Sequence, residues 1–203
     1  MISVYGMKSS GNCYKVRLLL AQLSRPYQLI EINTDRGESR TPEFLAKNPN
    51  GRVPLLETDD GVFLAESNAI LWYLAEATEL IPTSAIGRAQ VLQWMLFEQY
   101  SHEPYVAVAR YIMRHLADNH PRRAELPERR KQGLAAFSVM ETHLQSRRFF
   151  VDETYSLADI ALYAYSHVAD QGGFDLAKFP AVQHWLERVA SQPNYIAITD
   201  KPG

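Results

Sequence analysis

Ser9, Ser10, Asn12 and Cys13 fall within five residues of one another around Gly11, where the pattern changes from strand to helix. Upstream, Ile2-Ser3-Val4-Tyr5 reads as a buried strand. Downstream, Val16, Leu19, Leu20 and Leu23 recur at helical spacing. A strand-to-helix turn gathers unpaired backbone N–H groups and the positive end of the helix dipole, so it stabilises an anion, a thiolate included. Taken singly, Ser and Asn at such a point are ordinary N-caps. Ser10-Gly11-Asn12-Cys13 has the spacing of a dithiol redox motif, but serine stands where the attacking cysteine belongs. The chain has a single cysteine, which excludes dithiol exchange and any internal disulfide. What remains is an arrangement for handling a thiol that arrives as a ligand.

The elements that must position this stretch follow in order. Tyr27 to Ile32 reads as a second strand, and 33–40 as a polar loop. Thr41-Pro42-Glu43 opens a short helix, with Thr41 as cap and Pro42 at the first helical position. Asn48-Pro49-Asn50-Gly51 ends it. Val53 to Glu57 and Val62 to Ala65 form a hairpin around Asp59-Asp60-Gly61, and Ser67 caps a helix bearing Ile70, Leu71 and Leu74. The first two strands need a helical crossover and should be parallel; the last two should be antiparallel. The spacing thus predicts a small α/β domain over 1–80 and a boundary near Ile81-Pro82-Thr83-Ser84.

From Ser84 onward helical spacing dominates, predicting an all-helical domain over 85–203. Arg88 to about Ala117 reads as one long helix, interrupted or kinked near Pro104. A second carries Leu134, Phe137, Met140 and Leu144 on one face. Ser156-Leu157-Ala158-Asp159 is a capping box that starts a third, and a last helix carries Val182, Trp185, Leu186 and Val189.

The 203 residues supply ample core. A formal net charge of −2 gives no electrostatic case for nucleic acid or an anionic membrane. No apolar run approaches the ~18–20 residues that span a bilayer. The six histidines lack paired-ligand spacing, so no metal site is expected. Without a signal-type leader, and with one cysteine, a cytoplasmic location is expected.

Four stretches in this order, at this length, resemble the cytosolic glutathione S-transferases: Ser9 to Leu20, Asn48 to Pro54, Ala65 to Ile70, and Ser156 to Asp159. The serine-type branches, theta and zeta with their bacterial relatives, are the nearest. The resemblance implies a thioredoxin-like first domain and a helical second one. It places Ser10 at the catalytic serine, with Ser9 as competitor, hydrogen-bonding the glutathione sulfur. Asn12 joins the same end of the site. Val53 offers its backbone to the cysteinyl part, Pro54 is the family's cis-proline, and Glu66 and Ser67 hold the γ-glutamyl end. Arg52, Arg36 and Arg40 are candidates for the glycyl carboxylate. A free thiol with a pKa of ~8.5 must gain about 2.7 kcal/mol to ionise ~2 units lower. One charge-assisted hydrogen bond gives ~1.5–3 kcal/mol and a helix end ~0.3–1, so no metal is required.

His102, Tyr105, Val106 and Ala109 share one helical face and are nominated for the electrophile pocket, expected between the motif and the long helix. The resemblance also implies a homodimer through the helix after Ser67 and the Arg88–Tyr100 stretch, with Trp72 and Tyr73 contributing. The leading reading is conjugation of glutathione to a small hydrophobic electrophile. The same site could serve a glutathione-dependent isomerase, dehalogenase or peroxidase. Gly11-Asn12-Cys13 departs from the zeta pattern and weakens the isomerase reading. A non-catalytic binding module on the same fold is the third reading.

Overall fold

The computed structural model describes residues 1–200; the last three residues of the second domain as read from the sequence lie outside the described residues. The chain divides into two units. Residues 1–78 and 192–200 form the first, and Glu79–Ser191 the second.

The first unit is built on a four-stranded sheet of order β2-β1-β3-β4. Its strands are β1 (Ser3–Gly6), β2 (Gln28–Glu31), β3 (Leu55–Glu57) and β4 (Phe63–Ala65). β1 and β2 are parallel, whereas β1 with β3 and β3 with β4 are antiparallel. The helix α1 (Gly11–Gln22) makes the crossover between the parallel pair. Tyr5 and Leu55 are cross-strand partners and form one core cluster with Phe44 of α2 (Pro42–Lys47). Side chains alternate across a sheet, so Val4 and Leu56, also paired and fully buried, face the other side. Thr41 caps α2 by accepting from Phe44 N, and Pro42 is the first helical residue, where its missing N–H costs nothing. α3 (Ser67–Leu74) packs on α1.

The segment 192–200 belongs with this unit, a correction to the sequence-based domain limit. The reason is visible in α1. Tyr14 Oη donates to Ile196 O at 2.7 Å. The buried Arg17 guanidinium donates to Ile198 O at 2.8 Å, Asp200 O at 3.0 Å and Lys8 O at 3.1 Å. Those carbonyls hold the segment against α1.

The second unit is helical: α4 (Ala85–Phe97), α5 (Glu103–His115), α6 (Leu126–Leu144), α7 (Leu157–Ser166) and α8 (Pro180–Ala190). α4 and α5 are separated by one π-helical turn, Glu98–His102, and Pro104 sits in the first turn of α5. The interruption thus falls just ahead of the proline. α7 is buried along its whole length and contacts α4, α5 and α8. Its capping box is present: Asp159 Oδ2 accepts from Ser156 N at 2.9 Å and Ser156 Oγ at 3.0 Å. On α6 the buried stripe runs through Gly133, Phe137, Met140 and Leu144. Leu134, expected on that stripe, is exposed; its place on the buried stripe is taken by Gly133, which Phe174 approaches so closely that a Cβ there would stand 2.4 Å from Phe174 Cε1. Among the described residues no helix is long and apolar enough to cross a membrane.

Candidate active site

Ser10 is the N-cap of α1: its backbone is extended and its Oγ accepts from Cys13 N at 3.3 Å. Ser9 precedes the cap and is half-buried. Since the Ser10 oxygen accepts from the helix, its single proton remains for an acceptor elsewhere. The open N–H groups of the first α1 turn lie beside it.

Cys13 stands behind this hydroxyl. It is buried, and its Sγ accepts from Met7 N at 3.4 Å. Gly6 permits the approach, since a Cβ there would lie 3.1 Å from Sγ. Burial pushes the Cys13 thiol up to about 11, against the lowering effect of the Ser10 hydroxyl. At neutral pH it is a packed thiol and not a nucleophile.

A second helix start lies alongside. Ser67, the first residue of α3, is buried, and its Oγ donates to Asn12 Oδ1 at 3.4 Å. Glu66 caps α3 from φ +69°, a left-handed conformation unusual for a residue with a side chain. Such strain costs of order 1–3 kcal/mol and concentrates at binding sites. It leaves the Glu66 side chain exposed while Ser67 turns inward. The helix therefore begins at Ser67 itself, and Glu66 takes the capping position expected of Ser67.

The loop before β3 carries the remaining residues expected at the site. The Val53-Pro54 peptide bond is cis, Val53 is half-buried and Arg52 is exposed. Asn48, buried, donates from Nδ2 to Arg52 O at 2.8 Å and accepts from Asn50 N, which fixes the turn. Arg40 donates to Asn50 O at 3.0 Å, so its head is engaged by that same turn. Arg36 is exposed on the loop after β2.

The structure thus brings Ser10, Asn12 and Ser67 together, with Glu66 adjoining. The nominated helical face has a different setting. His102, Val106 and Ala109 are buried within the second unit. His102 Nε2 lies 3.0 Å from Ser166 Oγ, and its ring packs on Phe137. Tyr105 alone of the four is partly exposed. Sequence reasoning missed Lys15. It is fully buried in the second turn of α1, with Nζ 3.4 Å from Ser67 Oγ. A lysine in a helix that is otherwise largely apolar, with Val16, Leu18, Leu19 and Leu20 close by, was the available signal. No group of three or more potential metal ligands occurs among the described residues.

A family model described as glutathione S-transferase, N-terminal domain, matches residues 9–77. One described as glutathione S-transferase, C-terminal domain, matches residues 94–193. A crystal structure of a glutathione S-transferase from Pseudomonas fluorescens superposes with a TM-score of 0.96 at 49% identity, covering 98% of this chain and 99% of that one. The disulfide-bond oxidoreductase YfcG of Escherichia coli is 31% identical over 95% of this chain and 92% of its own length. The glutathione transferase URE2P8 from Phanerochaete chrysosporium, solved with oxidized glutathione, is 26% identical. It covers 95% of this chain and 90% of that one, with a TM-score of 0.84.

Proposed function

Because the chain belongs to the glutathione S-transferase family, we propose that its first unit binds glutathione with the sulfur at Ser10 and the γ-glutamyl end at Glu66 and Ser67. The observation that carries this reading is the Ser67–Asn12 contact. It sets the starts of α1 and α3 side by side, one for a thiolate and one for a carboxylate. Glu66, exposed beside Ser67, pairs with the ligand's α-amino group. Val53 presents its backbone to the cysteinyl residue, and Arg52, on the same turn, is the candidate for the glycyl carboxylate.

The reaction is then simple in its bookkeeping. The thiol gives its proton to solvent, and the resulting anion accepts the Ser10 hydroxyl proton in a hydrogen bond. Its lone pair forms a C–S bond with a small hydrophobic electrophile as the leaving group departs with its electrons. Of the four residues of the nominated face, Tyr105 alone has exposed surface to offer an electrophile.

A homodimer fits one further feature. Leu92, Leu96 and Tyr100 form a stripe along α4 and the turn after it, and all three are exposed, Leu96 at 67% and Tyr100 at 84%. Tyr73 on α3 is likewise exposed, while Trp72 is half-buried. An apolar stripe of this kind is a protein-facing surface. A cytoplasmic setting is part of the same proposal.

Calorimetry with glutathione, followed by thiolysis of an activated aryl halide, tests the reading: micromolar-to-millimolar binding and accelerated thiolysis are expected. Absence of any heat with glutathione would leave a non-catalytic module. The name of YfcG and the oxidized glutathione held by URE2P8 favour a second reading, disulfide reduction. With Cys13 buried, both electrons would come from two glutathione thiolates. One attacks the substrate disulfide, and the second resolves the mixed disulfide to give oxidized glutathione and two substrate thiols. Counting oxidized glutathione against thioether product separates the two reactions, and an isomerase would consume no glutathione.

A further inference from the structure

A cleft in the second unit is set apart by its charge. It lies between the end of α6 and α8 and holds about 420 Å³, a volume within the range of small-molecule sites. Arg147 and Arg148 line it from the turn after α6, His184 and Arg188 from α8, and Glu153 from the loop before α7. Three guanidinium groups thus share the cleft with one carboxylate, in a chain whose formal net charge is −2. Glu153 is already engaged: its Oε2 accepts from Arg148 N at 2.8 Å, from a backbone held left-handed at φ +57°. The frame is pinned in two places. Glu141 of α6 accepts from Ala181 N at 3.1 Å and from Val182 N at 3.0 Å, which fixes the start of α8. Arg188 Nε donates to Arg148 O at 3.0 Å, which fixes its last turn. Arg147 and Arg148 are exposed and Arg188 is half-buried. Burial, and then the Arg148 cation beside it, hold the Arg188 guanidinium below its ordinary value, against Asp159, Glu153 and Glu187. Like charges gathered this way repel one another, and a cleft walled by one sign focuses its field on an anion.

We infer that this cleft is a binding site for a small polyanion, a molecule that carries two or more phosphate or carboxylate groups. The inference is independent of the glutathione reading, since every residue it uses belongs to the second unit. Planar guanidinium forks match phosphate and carboxylate oxygens two at a time. The three forks come from two elements, the turn after α6 and the last turn of α8, so a ligand that meets them all presents oxyanions at more than one point. His184 shares the Arg188 face of α8 by its i,i+4 spacing and brings a ring nitrogen to the same ligand. Glu153 limits the affinity, because its carboxylate repels what the arginines attract.

Calorimetry at fixed ionic strength tests this, with pyrophosphate, citrate and acetate as probes. Pyrophosphate or citrate should bind at least about tenfold more tightly than acetate, and the tighter of the two tells a phosphoryl ligand from a polycarboxylate. Arg148→Ser should weaken that probe roughly twofold to fivefold, the range for one exposed charge, and Arg147→Ser with Arg148→Ser roughly tenfold. Lys131 is exposed on α6, roughly 20 Å before the end of that helix, and Lys131→Ser should leave the affinity in place. Glu153→Gln keeps an oxygen for Arg148 N and removes the repelling charge, so binding should tighten severalfold, an effect that a folding defect does not produce. Wild type that binds both polyanions no better than acetate overturns the inference. So does equal weakening by Lys131→Ser and Arg148→Ser, which would make the attraction a property of the whole surface. Unchanged polyanion binding in the double variant, with stability lost in urea, also overturns it, because the arginines would then serve the carboxyl end of α6.

Discussion

Replacing Ser10 by alanine removes two things at once, and the structure lets their sizes be separated. The first is the cap. Ser10 Oγ satisfies Cys13 N at 3.3 Å, and losing an N-cap serine costs ~1 kcal/mol of stability. Against a total of about 5–15 kcal/mol the variant stays folded. The second, on the glutathione reading proposed above, is the hydroxyl proton offered to the thiolate. A hydrogen bond to a charged group contributes ~1.5–3 kcal/mol, and one pKa unit corresponds to 1.36 kcal/mol. The bound thiol should therefore ionise about 1–2 units higher in Ser10→Ala. Below the wild-type pKa that is a roughly tenfold to hundredfold loss of thiolate.

The assay is the ultraviolet absorbance of bound thiolate against pH, together with kcat/KM for thiolysis over the same range. The rate deficit should be largest at neutral and acidic pH and should close once the variant's own thiol is ionised. Ser9→Ala should leave the profile in place. A Ser10→Ala deficit of equal size at every pH would refute the argument, since it would mean lost alignment and not lost ionisation. A wild-type thiol pKa in Ser10→Ala with a shifted one in Ser9→Ala would transfer the role to Ser9.

Three further outcomes can be checked. Cys13, with its thiol raised to about 11 by burial, should resist alkylation at neutral pH in the native protein and react on unfolding; rapid native alkylation with loss of activity would contradict its placement as a packed group. Burial raises Asp159 to about 6 despite donors from Ser156, Phe150 and Trp185, so its share of stability is full below about pH 4 and is lost as pH rises through about 6. Burial also lowers His167 to about 4, so its share is full above its ordinary pKa near 6.5 and is lost as pH falls through about 4. Each amounts to ~3 kcal/mol, and the slopes oppose. Urea titrations should show Asp159→Asn losing stability relative to wild type as pH drops from 6 to 4, and His167→Gln gaining it; parallel profiles would refute the pairing. Finally, Leu96→Lys on the exposed α4 stripe should shift the sedimenting species from dimer to monomer, and a wild type that sediments as a monomer at micromolar concentration would remove the dimer reading.

What could be read from the sequence was whatever is encoded within a few residues. Thr41-Pro42 and the Ser156/Asp159 box are local devices, and both occur where their residue types place them. The parallel β1–β2 pair and the β3–β4 hairpin follow from connection length alone. Errors arose where a distant residue decides the outcome. Leu134 has the right spacing for the buried stripe of α6, but the buried position is Gly133, packed under Phe174, forty residues on in sequence. The segment 192–200 has no periodicity to assign it. Its place is set by two aromatic and guanidinium donors on α1, at Tyr14 and Arg17. His102, Val106 and Ala109 do share a helical face, but a face about two turns long cannot by itself distinguish a pocket wall from a core, and these three are buried.

The same limit explains why α1 hid its cations. A helix read as amphipathic is expected to hold its charges on the wet side, yet Lys15 and Arg17 are both fully buried. A buried charge is tolerated only where polar partners are arranged around it, and the two lysine and arginine heads find theirs in different places. Arg17, with a planar fork, takes three backbone carbonyls, and one of them, Lys8 O, belongs to the loop that carries Ser9 and Ser10. Lys15, a compact ammonium, takes the hydroxyl that starts α3. One cation thus ties the loop before α1 and the 192–200 segment to that helix, and the other meets the first residue of α3. Exchanging them should fail in both directions. A lysine at 17 cannot span three carbonyls, and an arginine at 15 does not fit a slot already closed to water.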